Sequence, residues 1–226
     1  MKAKEDVKDI DIIEKHWDDY SPEFDEAHAT EDIDLWREEL FKLTGEKKGL
    51  KVLDIGTGTG FLALMMAELG NEVYGVDVSE GMMNIGKEHA KERNVDVKFI
   101  KNEGENLQFD DDFFDVVVNC RVLWTLVDPD VSFKEWKRVM KPGGKVISFI
   151  RDSKGMHKPK KEFIYSKELD EKLPLRKADE KTYMEYMERA GFKNSKVIRM
   201  REDLTVKREA DDNKKMSPWL AVYGEK

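Results

Sequence analysis

A single cysteine, Cys120, stands in a chain of 226 residues. A lone thiol excludes an internal disulfide framework and a cysteine-built metal site, and no metal is expected elsewhere. Histidine is also scarce, and His16, His28, His89 and His157 each read first as solvated side chains. No stretch approaches the ~20 apolar residues of a spanning helix, and no amino-terminal run resembles a signal peptide. The expectation is a cytoplasmic protein without membrane contact. Positive charge is short as well: 40 Lys and Arg face 48 Asp and Glu, a net charge of −8. That balance argues against broad nucleic-acid binding, which needs a basic face. The one basic run, "KPKK" at 158–161, is brief and reads as a solvated loop. Repeats and low-complexity linkers are missing too, and the length suits one domain over 1–226 with a real core.

What the chain does have is alternation. Residues 1–45 carry apolar sets at helical spacing (Ile10, Ile13, Trp17; then Ile33, Trp36, Leu40), which predicts an amino-terminal helical cap. "YSPEFDEAHAT" between them is rich in turn residues and is expected to separate two helices. Over 50–151, short apolar strands alternate with helices, the pattern of a buried parallel sheet. The last helix of this run is expected to reach Met140, with "KPGG" turning into the strand "KVISFI". Residues 152–178 break the regularity, with Pro159 and Pro174 among charges, and read as a lid insert. Over 179–226 a helix precedes "SKVIRMRE" and "SPWLAVYGE", an antiparallel edge pair joined by "DDNKK". The fold expected is α/β: a Rossmann-like open seven-stranded sheet with helices on both faces and an antiparallel edge hairpin.

The glycine cluster "VLDIGTGTGF" lies where the first strand opens into a helix. Ligands of such sheets sit beyond the carboxyl ends of the strands, near the reversal of strand order. A dinucleotide fingerprint needs a glycine at position 61, where Phe61 stands, and no Gly-Lys-Ser/Thr follows for a P-loop. Asp54, two positions before Gly56, would repel a pyrophosphate but could help hold an ammonium group. Asp77 ends the second strand, 17 positions beyond Gly60, where an acid can accept both ribose hydroxyls. The site asks for a nucleoside with a cationic tail and no phosphate, which describes S-adenosylmethionine.

Four motifs in order now resemble the class I S-adenosylmethionine-dependent methyltransferases, in the type 11 or UbiE-like small-molecule group. They are "LDIGTGTG", "VYGVDVSEGMM", "ENLQFDDDFFDVVV" and "KRVMKPGGKVI". The resemblance covers roughly Trp17 to Gly191. It implies that Gly56, Thr57, Gly58 and Gly60 lie along the methionine part and that Asp77 takes the ribose. Val78 and Met82 would flank the adenine, and Glu103, Gly104 and Glu105 would meet its edge. Asn119 would offer a carbonyl to the methionine amino group. "WDDYSPEFD" resembles the family's amino-terminal segment with Phe24 in place of tyrosine, so Tyr20 or Arg37 is left to meet the carboxylate. On the acceptor side the candidates are Tyr20, His28, Arg121 and Trp124. No catalytic dyad is evident, as suits an in-line displacement governed by positioning. The implied activity is methyl transfer to a small thiol, amine, hydroxyl or carbon acceptor, by a monomer or homodimer, leaving S-adenosylhomocysteine. The alternatives are a non-catalytic S-adenosylmethionine-binding regulator and an RNA-modifying methyltransferase. The 152–178 insert favours a catalyst, because a lid makes sense over a second ligand.

Overall fold

The computed structural model describes residues 8–28, 31–152, 164–205 and 217–226. Helices α1 (Asp9–His28) and α2 (Ile33–Thr44) lead into β1 (Lys51–Ile55), α3 (Phe61–Glu68), β2 (Glu72–Asp77), α4 (Glu80–Glu92) and β3 (Val97–Lys101). Then come β4 (Phe114–Cys120), α5 (Pro129–Val139), β5 (Met140–Arg151), α6 (Lys167–Lys172), α7 (Glu180–Arg189), β6 (Lys193–Arg199) and β7 (Trp219–Glu225). The seven-stranded sheet has the order β3-β2-β1-β4-β5-β7-β6. Strands β1 to β5 pair in parallel, while β7 is antiparallel to both β5 and β6.

The apolar strands are buried on both faces because alternate residues feed separate cores. Val52, Val116, Val118 and Phe149 join Trp36, Leu62 and Trp219 on one side. Leu53, Val117 and Ile150 join Phe133, Trp136 and Leu220 on the other. A third, small cluster (Ile13, Leu169, Leu173) ties α1 to α6 over the carboxyl edge of the sheet. Side-chain caps start the helices where the sequence places them: Asp32, Ser79, Asp128 and Asp179 each accept a backbone N–H of the first turn.

Two expectations are corrected. The turn-rich "YSPEF" is helical, and α1 runs through Pro22 to His28. Proline removes the N–H that would reach the Asp18 carbonyl, and the Ser21 hydroxyl donates to that carbonyl instead, at 2.9 Å. Second, β5 begins at Met140 and includes "KPGG", with a register shift opposite Phe114 and Val116. The antiparallel β6–β7 pair stands at one end of the sheet as expected, with β6 outermost and β7 between β6 and β5. The "KPKK" and "DDNKK" segments lie outside the described residues, and within the expected lid so do residues 153–163.

Candidate active site

The site is built at the reversal of strand order, where β1 and β4 lie side by side with their next neighbours on opposite flanks. Beneath the glycine loop Asp54 is 1% exposed, and its Oδ2 accepts the Thr57 hydroxyl at 2.9 Å and the Ala63 N–H at 3.1 Å. It therefore stitches the loop to the first turn of α3. Burial raises its pKa to about 7 against the pull of both hydrogen bonds, and the neighbouring Asp77 adds to the rise. Gly58 adopts a left-handed backbone (φ +54), and a Cβ there would meet nothing within 4 Å. The protein leaves that space free.

Asp77 closes β2 beside the loop. Its Oδ2 accepts the Gly58 N–H at 2.8 Å and its Oδ1 the Ser79 N–H at 2.9 Å, which leaves each oxygen a further lone pair. Burial raises its pKa, while the N–H groups of Ser79, Gly58 and Val78 oppose the rise. A cavity with an empty volume of about 850 Å³, partly open to solvent, runs from here, with Gly56, Gly58, Asp77, Val78 and Met82 in its wall. Opposite stand Asn102, Glu103, Gly104 and Glu105. The Gly104 carbonyl is fixed by the Trp136 indole N–H at 2.8 Å, and the Glu105 carboxylate by the Asp128 N–H at 2.9 Å. The side-chain oxygen of Asn102 is buried without a hydrogen-bond partner among the described residues. A buried acceptor in that state lacks a donor, and an amino group on a nucleobase is such a donor.

Helix α1 roofs the cavity with Ile10, Ile13, Trp17 and Phe24. Two acids fasten it down. Asp18 accepts the Ser79 hydroxyl at 2.6 Å and the Gly81 N–H at 2.9 Å. The approach is so close that a Cβ on Gly81 would lie 2.8 Å from Ser21 Oγ. Asp25 accepts the Thr59 hydroxyl at 2.7 Å and faces His89 Nε2 at 3.3 Å. Towards the insert, the Trp17 indole donates to the Tyr165 hydroxyl at 3.0 Å, and Trp124 stacks on Tyr165 with ring centroids 5.9 Å apart. Arg176 covers Trp124 at 4.9 Å and pairs with the buried Asp170, which also accepts the N–H groups of Ile164 and Tyr165.

The matching family model is the methyltransferase domain, over residues 53–148. The chain is 39% identical over 116 residues to the demethylmenaquinone methyltransferase of a Geobacillus species. It is 32% identical over 118 residues to the ubiquinone/menaquinone biosynthesis C-methyltransferase UbiE of Idiomarina loihiensis. Each match takes in 50% of this chain, and the chain spans about half of those relatives, 50% and 47% of their lengths. Among solved structures, an S-adenosylmethionine-dependent methyltransferase from Aquifex aeolicus superposes with a TM-score of 0.65, at 22% identity, over 97% of this chain and 98% of its own. Residues 53–148 thus match a methyltransferase domain, and the chain shares the fold of the S-adenosylmethionine-dependent methyltransferase on which it superposes.

Within this methyltransferase fold, several residues singled out from the sequence do not line the cavity. Arg37 is spent elsewhere: it holds Glu68 at 2.7 and 3.1 Å and Asp34 at 2.7 Å on the outer side of α2. Asp54, Thr57 and Gly60 shape the loop from beneath, and Gly60 caps α3. Asn119 is fully buried, with its amide donating to Ser148 Oγ at 2.8 Å, so the β4 end presents Cys120 and Arg121 to the cavity instead. Tyr20 and Trp124 belong to the aromatic group behind the roof, with Tyr20 6.2 Å from both Trp17 and Phe24 by ring centroids. The backbone of His28 ends α1, and its side chain lies outside the described residues. Sequence reading missed Asn102, Val122, Leu126 and Val127 in the wall. The roof residues Ile10, Ile13 and Trp17 had their signal in helical spacing, but nothing in that spacing tells a ligand from a core.

Proposed function

We propose that the protein transfers a methyl group to a small, flat, largely apolar acceptor, and that a reduced quinone ring is the favoured class. The donor half rests on one observation: Asp77 and Gly58, 2.8 Å apart through a hydrogen bond, share the cavity wall with free acceptor positions. Asp77 takes the ribose, Val78 and Met82 flank the adenine, and Asn102 through Glu105 read its edge. Gly56 and Gly58 bring bare backbone against the methionine part. For the acceptor, support comes from the apolar Ile10, Ile13, Trp17, Phe24, Leu126 and Val127, and from relatives named for menaquinone and ubiquinone biosynthesis.

Bound donor supplies a methyl group activated on a sulfonium. The chain's own work is to align the acceptor behind that methyl and keep water out, and alignment alone can supply on the order of 7–11 kcal/mol. The α1 roof excludes water. Cys120 is no nucleophile, because burial pushes its thiol up to about 12 and it stays protonated. An ionised quinol carries its own nucleophilic ring carbon, whose proton leaves to solvent after transfer, so a dedicated base is not required.

The test is S-adenosylhomocysteine release, followed by mass spectrometry, with a reduced naphthoquinone, phenols, amines and thiols offered in parallel. The fastest release is expected with the reduced naphthoquinone. Release with amines or thiols alone overturns the acceptor class. Tight donor binding without release on any acceptor leaves a regulatory binding protein.

A further inference from the structure

Arg121 is the one cation in the described cavity wall, facing the carboxylates Asp77, Glu103 and Glu105. It follows β4 in a left-handed backbone conformation (φ +63), with its N–H held by the Phe149 carbonyl at 2.9 Å. Such a conformation is costly for a residue with a side chain and persists where its surroundings impose it. The guanidinium lies 5.6 Å from the ring centroid of Phe61, the first residue of α3, and 4.8 Å from that of Trp219. Its Nη2 donates to Glu31 Oε1 at 2.5 Å, and Arg151 Nη2 reaches the same oxygen at 3.3 Å. Two guanidiniums thus share one carboxylate that is 3% exposed. Among the described residues this cluster carries excess positive charge beside a cavity whose other ionised groups are acids.

Its position gives that charge a purpose. The nucleoside end of the cavity is at Asp77 and Val78. A ligand running from there along Gly58 and Gly56 reaches Val122, which packs so closely on Gly56 that a Cβ there would lie 2.3 Å from Val122 Cγ2. Arg121 is the next residue. A cationic fork at the far end of a nucleoside cavity matches the carboxylate of an amino-acid tail, which guanidinium binds through paired, charge-assisted hydrogen bonds.

We propose that Arg121 binds the methionyl carboxylate of the donor, and that Glu31 occupies its fork in the free protein as a built-in substitute carboxylate. This rests on the reading of the cavity as the donor site. Donor binding then exchanges one carboxylate for another, and the strength of the Glu31 contact tunes donor affinity.

The test compares S-adenosylhomocysteine with its decarboxylated analogue, S-adenosyl-3-thiopropylamine, by calorimetry. In the unmodified protein the carboxylate is expected to favour S-adenosylhomocysteine at least tenfold. Arg121→Met should abolish that preference and leave the analogue's affinity unchanged, while Arg121→Lys should keep part of it. Glu31→Gln should tighten S-adenosylhomocysteine several-fold without tightening the analogue, and it decides the matter if the Arg121 variants do not fold. Equal affinity of the unmodified protein for both ligands overturns the proposal. So does a preference that survives Arg121→Met, including the case in which only the KM of an anionic acceptor moves. Binding of neither ligand overturns the donor-site reading itself, a different failure from loss of the preference.

Discussion

Asp54 makes the stability of this fold depend on pH in a direction opposite to most carboxylates. In an unfolded chain an aspartate titrates near about 3.9; beneath the glycine loop burial moves Asp54 to about 7. The folded protein therefore holds this proton more tightly than the unfolded chain does. The resulting stabilisation is complete below the unfolded pKa, declines by about 1.4 kcal/mol per pH unit, and is gone above the folded pKa. Asp54→Asn retains a carbonyl oxygen to accept from Thr57 and Ala63, but cannot ionise. Urea unfolding of both proteins from pH 5 to pH 8 reads the effect, because titrations of groups that do not interact with Asp54 cancel in the difference. The stability of the unmodified protein relative to Asp54→Asn should fall by about 3 kcal/mol across that range. Parallel stability curves would refute the reasoning and show that Asp54 is ionised in the fold throughout.

Asp77→Asn should weaken S-adenosylhomocysteine at least tenfold by calorimetry, since a hydrogen bond to a charged acceptor is worth roughly 1.5–3 kcal/mol. Asp77→Ala should also lower the melting temperature, because the Gly58 and Ser79 N–H groups lose their acceptor; an unchanged melting temperature would contradict the geometry. Arg37→Ala should change donor affinity less than twofold, as its guanidinium is held by Glu68 and Asp34, and a tenfold loss would place it in the site. On adding S-adenosylhomocysteine, hydrogen exchange should slow in residues 9–28 and 164–178 more than in edge strand β6; protection confined to the glycine loop and Asp77 would show that α1 is not a cover.

Strands β1, β4 and β7 were readable because each is a short apolar run, and their burial on both faces follows from that composition. The position of β7 was readable in principle: Trp219 to Tyr223 is apolar throughout and buried, whereas β6 carries Lys193, Lys196 and Arg199 as an exposed edge does. The unbroken α1 was not, since "YSPEF" has turn composition and only the Ser21 hydroxyl on the Asp18 carbonyl offsets the proline. Of the candidate site, the cavity wall includes Gly56, Gly58, Asp77, Val78, Met82 and Glu103 to Glu105, all within local motifs. Residues whose place depends on a distant partner escaped: Glu68 lies 31 positions from Arg37, and Glu31 lies 90 from Arg121.

The separate cluster of Ile13, Leu169 and Leu173 bears on how such a protein can change over generations. Its buried members belong to neither of the two large cores that hold the sheet together, and Val78 of the cavity wall packs against them. Substitutions there draw on a private reserve of packing, so the roof can drift in shape while the sheet and its glycine loop keep their stability. A lineage could thereby reshape the roof through a handful of changes in α1 and α6 that leave the glycine loop in place.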